Sequence, residues 1–267
     1  MNRYEAMFAR LGKNGAFVPF LVLGDPTPDE SLAAALALVR GGADALELGI
    51  AFSDPLADGP TIQAADVRAL AAGTRPRDAF AIIAKLRAAH ADLPIGLLVY
   101  ASLVEAPGHD AFYQAAQTAG VDSVLVADAP TVEVTPYVEA AERHGICPVL
   151  IATPNGADRD VARVAELTRG YTYVVSRAGV TGAEREADAD QHALIARLRA
   201  FGAAPCLLGF GISKPEHVRA ALDAGAAGAI CGSATVAIIE KHLDDANVRC
   251  QALERFTRGM KAATIRS

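Results

Sequence analysis

The apolar run ALELGI (45–50) carries a single acid, Glu47, and the loop FSDPLADGP that follows it holds Asp54 and Asp58. An ionised carboxylate alone in an apolar setting costs several kcal/mol unless it is paired or neutralised. A partner or a chemical task must therefore keep Glu47 there. Two acids in unlike surroundings suit two roles, one donating a proton from a raised pKa and the other stabilising positive charge. Strand alternation sets Ala45, Glu47 and Gly49 on one face and Leu46, Leu48 and Ile50 on the other. The small Ala45 and Gly49 would leave room for a ligand beside the acid. The alternative is a core carboxylate satisfied by a Tyr or Ser hydroxyl.

A second kind of chemistry is written in the last third of the chain. SRAGVTG (176–182), GFGIS (209–213) and GAICGSATV (228–236) each follow a short apolar run, and GSATV leads straight into a helical segment with Ser233 at its start. Free backbone N–H groups at such a helix start, with glycine permitting close approach, hold a phosphate dianion without Lys or Arg. Plain strand-to-helix turns are the competing explanation. The stretch RAGVTGAEREADAD (177–190) is either a lid that closes on bound ligand or a solvated loop. Asp25 and Asp128 end strands, where capping a turn is the commoner role. The six histidines show no ligand spacing, so no metal is expected, and Cys147, Cys206, Cys231 and Cys250 are scattered without CxxC spacing, as free apolar fillers would be.

The elements that must position these groups alternate regularly. Eight Val/Ile/Leu-rich runs, FVPFLVL (17–23), ALELGI (45–50), PIGLLVY (94–100), SVLVAD (123–128), PVLIAT (148–153), YTYVVS (171–176), PCLLGF (205–210) and GAICG (228–232), are separated by segments of helical periodicity, several of them ending in Gly. Near-continuous apolar strands joined by helices imply a parallel sheet covered by helices, and eight units predict a (β/α)8 TIM barrel. Residues 1–14 and about 246–262 read as extra terminal helices, and with no linker the whole of 1–267 is expected to be one domain. A doubly wound open sheet is the alternative, but the first βα turn, GDPTPDE, lacks a glycine-rich dinucleotide fingerprint. In a barrel, Glu47 points into the lumen and Asp58 sits at the C-terminal mouth, where active sites of this architecture lie.

Composition bounds the partners. With 52% hydrophobic residues, 21% charged and a net charge of −6, and a mean hydropathy of +0.23, the chain can bury a large core but presents no basic surface for nucleic acid or an anionic membrane. The start is polar and amphipathic, and charges or glycines interrupt every long apolar run, which leads to the expectation of a cytoplasmic protein.

Taken together, FVPF-LVLGDP (17–26), ADALELGI-FSDPLADGP-IQ (43–63), IGLLVYA (95–101), GVDSVLVAD (120–128), RGYTYVVSRAGVTG (169–182), GFGIS (209–213) and AGAAGAICGSA (224–234) closely resemble the tryptophan synthase alpha chain family along nearly the whole chain. The resemblance implies retro-aldol cleavage of indole-3-glycerol phosphate to indole and glyceraldehyde 3-phosphate. It implies that Glu47 handles the proton at indole C3 and that Asp58 accepts the indole N–H. It further implies Tyr173 near Glu47, an indole pocket of Phe20, Leu98, Tyr100 and Leu125, and a phosphate held by Thr181, Gly182, Gly211, Gly232 and Ser233. No cofactor is implied in this chain; pyridoxal phosphate belongs to the separate beta chain, with which the family forms an alpha2beta2 complex and to which it passes indole.

Some positions depart from the family pattern: Ala51 stands where Pro is usual, Ser102 where Asn is common, and Glu105 and Ala106 are unusual. In the family these sites belong to the face that meets the beta chain, so they bear on coupling and not on the reaction. Open alternatives are a free-standing indole-3-glycerol phosphate lyase, a different sugar-phosphate barrel, and a subunit that chiefly activates its partner.

Overall fold

The computed structural model describes residues 1–175 and 184–266, and of residues 184–190 the backbone alone. Among these, the strands are β1 (Ala16–Leu23), β2 (Leu46–Ile50), β3 (Ile95–Val99), β4 (Ser123–Val126), β5 (Cys147–Pro148), β6 (Ile151–Ala152), β7 (Thr172–Val175), β8 (Cys206–Gly209) and β9 (Gly228–Cys231). Every strand pairing among the described residues is parallel, in the order β5-β4-β3-β2-β1-β9-β8-β7-β6. The two edges of that order are neighbours in the chain, being halves of the single run PVLIAT. Across the gap Val149 N–H still bonds the Val124 carbonyl at 3.0 Å and Tyr173 N–H the Leu150 carbonyl at 3.1 Å. The sheet therefore closes on itself, with eight barrel strands as the sequence predicts. Pro148, which has no N–H to give, sits at the interruption.

The helices are α1 (Arg3–Leu11), α2 (Pro28–Arg40), α3 (Pro60–Ala71), α4 (Pro76–Ala89), α5 (Ala101–Glu105), α6 (His109–Ala119), α7 (Thr135–Arg143), α8 (Asp158–Leu167), α9 (Glu184–Ala200), α10 (Pro215–Asp223), α11 (Ser233–Lys241) and α12 (Ala246–Ala262). Four of them, α2, α3, α4 and α10, begin on Pro, whose fixed φ suits the first helical position. The terminal helices α1 and α12 are present as expected. Residues 184–190, read from composition as part of a loop, instead open α9; Glu, Arg and Ala are good helix formers and acids favour a first turn.

Alternation sorts the core into two layers. Leu46, Leu48 and Ile50 pack outward with Leu38, Ile82, Ile83 and Leu86. Ala45 turns inward with Val18, Leu125, Tyr171, Tyr173 and Leu207. At roughly 1.5–3 kcal/mol for each fully buried large apolar side chain, these two layers supply the main stabilisation of the barrel. No helix among the described residues is long and apolar enough to cross a membrane.

Candidate active site

Strand register assembles the lumen. Phe20 is paired with Glu47, Glu47 with Gly96 and Gly96 with Ser123; one layer nearer the C-terminal mouth, Val22, Gly49, Leu98 and Leu125 are aligned. Paired positions in a parallel sheet share a face, so Phe20, Glu47, Leu98 and Leu125 converge on one interior. The space expected beside Glu47 is not empty. A Cβ on Gly49 would lie 2.9 Å from Phe20 Cζ, so the missing side chain makes room for the Phe20 ring.

Glu47 is 1% exposed, and the Tyr171 hydroxyl donates to its Oε1 at 2.6 Å. Burial pushes the carboxyl up to about 7, against the opposing pull of that hydrogen bond. Tyr171 packs on Tyr4 with ring centroids 5.2 Å apart, and the Tyr4 hydroxyl meets Ser123 Oγ at 2.8 Å. Gly96 admits this polar floor, since a Cβ there would stand 2.8 Å from Ser123 Oγ and 3.0 Å from the Tyr4 oxygen. The partner of Glu47 is thus Tyr171, which the sequence reading did not single out, although the alternation of Tyr171 and Tyr173 in YTYVV carried the signal. Tyr173 packs against Gly209. Burial first, then the charges of Glu47 and Asp58, raise its hydroxyl pKa well above the usual value.

Asp58 is held from β3's end. The Tyr100 hydroxyl donates to Asp58 Oδ2 at 2.7 Å and accepts the Ala57 N–H at 3.0 Å, while Gln63 Nε2 donates to the Asp58 carbonyl at 2.8 Å. Partial burial raises the Asp58 carboxyl above its usual range, offset in part by Tyr100. Tyr100, 4% exposed, is therefore a ligand of the acid as much as a pocket wall.

At the other side of the mouth, Phe210 and Gly211 take φ of 68° and 75° in succession. The left-handed region costs a residue with a side chain about 1–2 kcal/mol, while Gly211 enters it freely. Phe210 is 58% exposed at the end of β8; a large apolar residue between two glycines was its overlooked signal. Gly232 caps α11 without a capping side chain, so the first-turn N–H groups at Ser233 and Ala234 face outward from the helix start. A Cβ on Gly232 would come 3.6 Å from Ile62 Cδ1 and 3.8 Å from Phe20 Cδ1. The glycine-rich turn therefore borders the apolar pocket, with Ile62 a further wall. Thr181 and Gly182, and residues 177–183 of the expected lid, lie outside the described residues.

Other candidates fall into structural roles. Asp25, 0% exposed, receives a two-pronged bond from Arg68 at 2.7 and 2.9 Å. Asp128 accepts the Ala101 N–H at the start of α5. Ala51 is buried with Phe20, Ala65 and Ala69. Glu105 accepts from the Tyr137 hydroxyl at 2.6 Å and faces His109 at 2.8 Å. Cys147, Cys206 and Cys231 are buried and unpaired, Cys250 half-buried. No His, Cys, Asp and Glu grouping among the described residues could hold a metal ion.

A closed parallel α/β barrel, with one carboxyl in its lumen and a second carboxyl and glycine-rich turns at its C-terminal mouth, defines the molecule as a barrel of the enzyme class. A family profile described as tryptophan synthase alpha chain matches residues 8–265. The chain belongs to that family. It is 58% identical to a tryptophan synthase alpha chain of Vibrio cholerae over 266 residues, covering 99% of each chain. Its identity to one from Klebsiella pneumoniae is 56% over 266 residues, again 99% of each. Among solved structures it resembles tryptophan synthase subunit alpha from Legionella pneumophila, with TM-score 0.89, 30% identity and coverage of 99% and 98%. A structure of the tryptophan synthase a2b2 complex from Pyrococcus furiosus is similar at TM-score 0.84 and 36% identity, covering 92% of this chain and 98% of that one.

Proposed function

We propose that this chain cleaves indole-3-glycerol phosphate to indole and glyceraldehyde 3-phosphate, as the alpha subunit of a tryptophan synthase. The observation that carries the reading is the pair of acids in unlike surroundings, Glu47 buried in the lumen and Asp58 held at the mouth by Tyr100. Cleavage requires a proton at indole C3. The C3–C bond then breaks, the hydroxyl on the departing carbon gives its proton to the carboxylate that the first transfer left, and that carbon becomes the aldehyde. Protonated Glu47, its carboxyl lifted toward 7 by burial, donates to C3. Asp58 accepts the indole N–H and stabilises the cationic indolenine. Each such group contributes about 10² to 10⁴ in rate.

Phe20, Leu98, Tyr100 and Leu125 would enclose the indole, with Tyr173 beside the acids. The phosphate would rest on the amides of Gly211, Gly232 and Ser233, with Thr181 and Gly182 as further phosphate-holding residues. Protonation of the indole activates the bond, so the cleavage calls for no metal or organic cofactor; pyridoxal phosphate would belong to the beta partner. Leu56 and Val132, 91% and 74% exposed, lie in loops after β2 and β4 at the same mouth, an apolar rim that suits a beta chain. Soluble phosphorylated substrate and product, with unpaired thiols, fit a cytoplasmic setting.

Indole release by the purified chain, alone and with a tryptophan synthase beta chain, tests the reading. Turnover that rises on adding the beta chain and collapses in Glu47→Gln is expected. No release under either condition sinks it, and full turnover without a partner favours a free-standing lyase.

A further inference from the structure

The cleavage as proposed gives no role to Asp66, a buried acid that, unlike Asp25, Asp44 and Asp122, has no salt-bridge partner among the described residues. Asp66 on α3 is 5% exposed. Its Oδ1 accepts the Phe52 backbone N–H at 3.3 Å, while its Oδ2 is buried and meets no hydrogen-bond partner among the described residues. Arg68, one face round the same helix, is engaged by Asp25 and Glu240. Phe52 opens the acidic loop, and its ring stacks on Tyr100 with centroids 5.1 Å apart and planes at 21°. Tyr100 in turn donates to Asp58 and accepts from Ala57. A continuous series of contacts thus runs from Asp66 through Phe52 and Tyr100 to Asp58, tying the loop at both its beginning and its end.

Resting on the reading that Asp58 receives the indole N–H, we infer that Asp66 is a positioning residue for Asp58. Its carboxyl fixes Phe52, the Phe52 ring braces Tyr100, and Tyr100 aims the acid. A carboxyl with one buried oxygen unpaired is a poor choice for packing alone, because an apolar side chain of the same shape would be more stable there. Burial lifts the group to about 7, the Phe52 N–H opposes this and the charges of Asp58 and Asp25 add to it. Near neutrality it accordingly tolerates its site without a cation. A neutral Asn would keep the acceptor for Phe52.

Calorimetric binding of indole-propanol phosphate, an unreactive compound with the same ring and phosphate, tests the inference in a double-mutant cycle. Asp66→Ala, and Asp66→Leu, which fills the space without an acceptor, are each expected to weaken binding about tenfold; Asp66→Asn should stay within about twofold. Added to Asp58→Ala, neither should weaken binding further, since nothing remains to be aimed. Equal losses in both backgrounds would reveal a general structural role and overturn the inference. So would unchanged binding by Asp66→Ala and Asp66→Leu while Asp58→Ala binds weakly, in which case only the positioning role falls. Unchanged binding by Asp58→Ala alone would remove the reading of Asp58 and this inference with it.

Discussion

Tyr171 donates a 2.6 Å hydrogen bond to Glu47 from within a layer closed off by Tyr4 and Ser123. The acid is thereby satisfied and its carboxyl kept near 7 by burial. The two readings of a buried acid, structural and chemical, meet in one geometry: the partner that makes Glu47 tolerable also tunes it.

Removing the Glu47 proton donor while keeping its shape should abolish the chemistry but not the fold. Glu47→Gln is expected to lower kcat for indole release by about 10² to 10⁴ with KM little changed. Steady-state kinetics decide it. A variant retaining more than half the activity would exclude Glu47 as the acid.

Tyr171→Phe removes a hydrogen bond that lowers the Glu47 pKa. The carboxyl should stay protonated to higher pH, so the alkaline limb of the kcat profile should move upward. The lost bond should cost about 0.5–1.5 kcal/mol in stability. A pH–rate profile that does not move would break the link between Tyr171 and the acid.

Stability should itself depend on Glu47. Its folded carboxyl is raised from 4.5 to about 7, so the folded chain holds the proton more tightly than the unfolded chain. The contribution is fully present below the unfolded value and lost as pH rises through about 7, amounting to about 3 kcal/mol in all. Denaturant melts at pH 5 and 8.5 should show the native chain losing stability relative to Glu47→Gln across that window. Parallel curves for the two chains would contradict this.

Gly209 leaves the space that the Tyr173 phenol occupies. Gly209→Ala should drive Tyr173 toward the acids, lowering kcat/KM at least tenfold and costing about 1–3 kcal/mol through overpacking. Paired activity and melting measurements test it; a variant indistinguishable from the native chain would show that Tyr173 yields freely.

Arg68 is the salt-bridge partner of the fully buried Asp25 among the described residues. Arg68→Met should destabilise the chain by about 3–5 kcal/mol by leaving that charge uncompensated, while Asp25→Asn added to it should recover part of the loss. Urea unfolding of the two variants reads out both effects. A double variant no better than the single one would deny the pairing its role.

The sequence by itself determined the architecture and singled out the two acids proposed to react. Eight apolar runs of strand length with helical segments between them permit little but a closed parallel barrel, and alternation alone turned Glu47 inward. Local signals of this kind depend only on backbone period and side-chain type. What the tertiary structure decided lies in contacts between residues far apart in the chain: Tyr171, not Tyr173, bonds Glu47 across 124 positions, Tyr100 holds Asp58 across 42, and Phe20 fills the hollow at Gly49. α3 (Pro60–Ala71), which carries Asp66 and Arg68, shows little helical contrast in its weakly segregated PTIQAADVRALA. Register and rotamer choose which of several neighbouring hydroxyls reaches a buried carboxylate, and both are set by packing of the closed barrel and not by any short stretch of sequence.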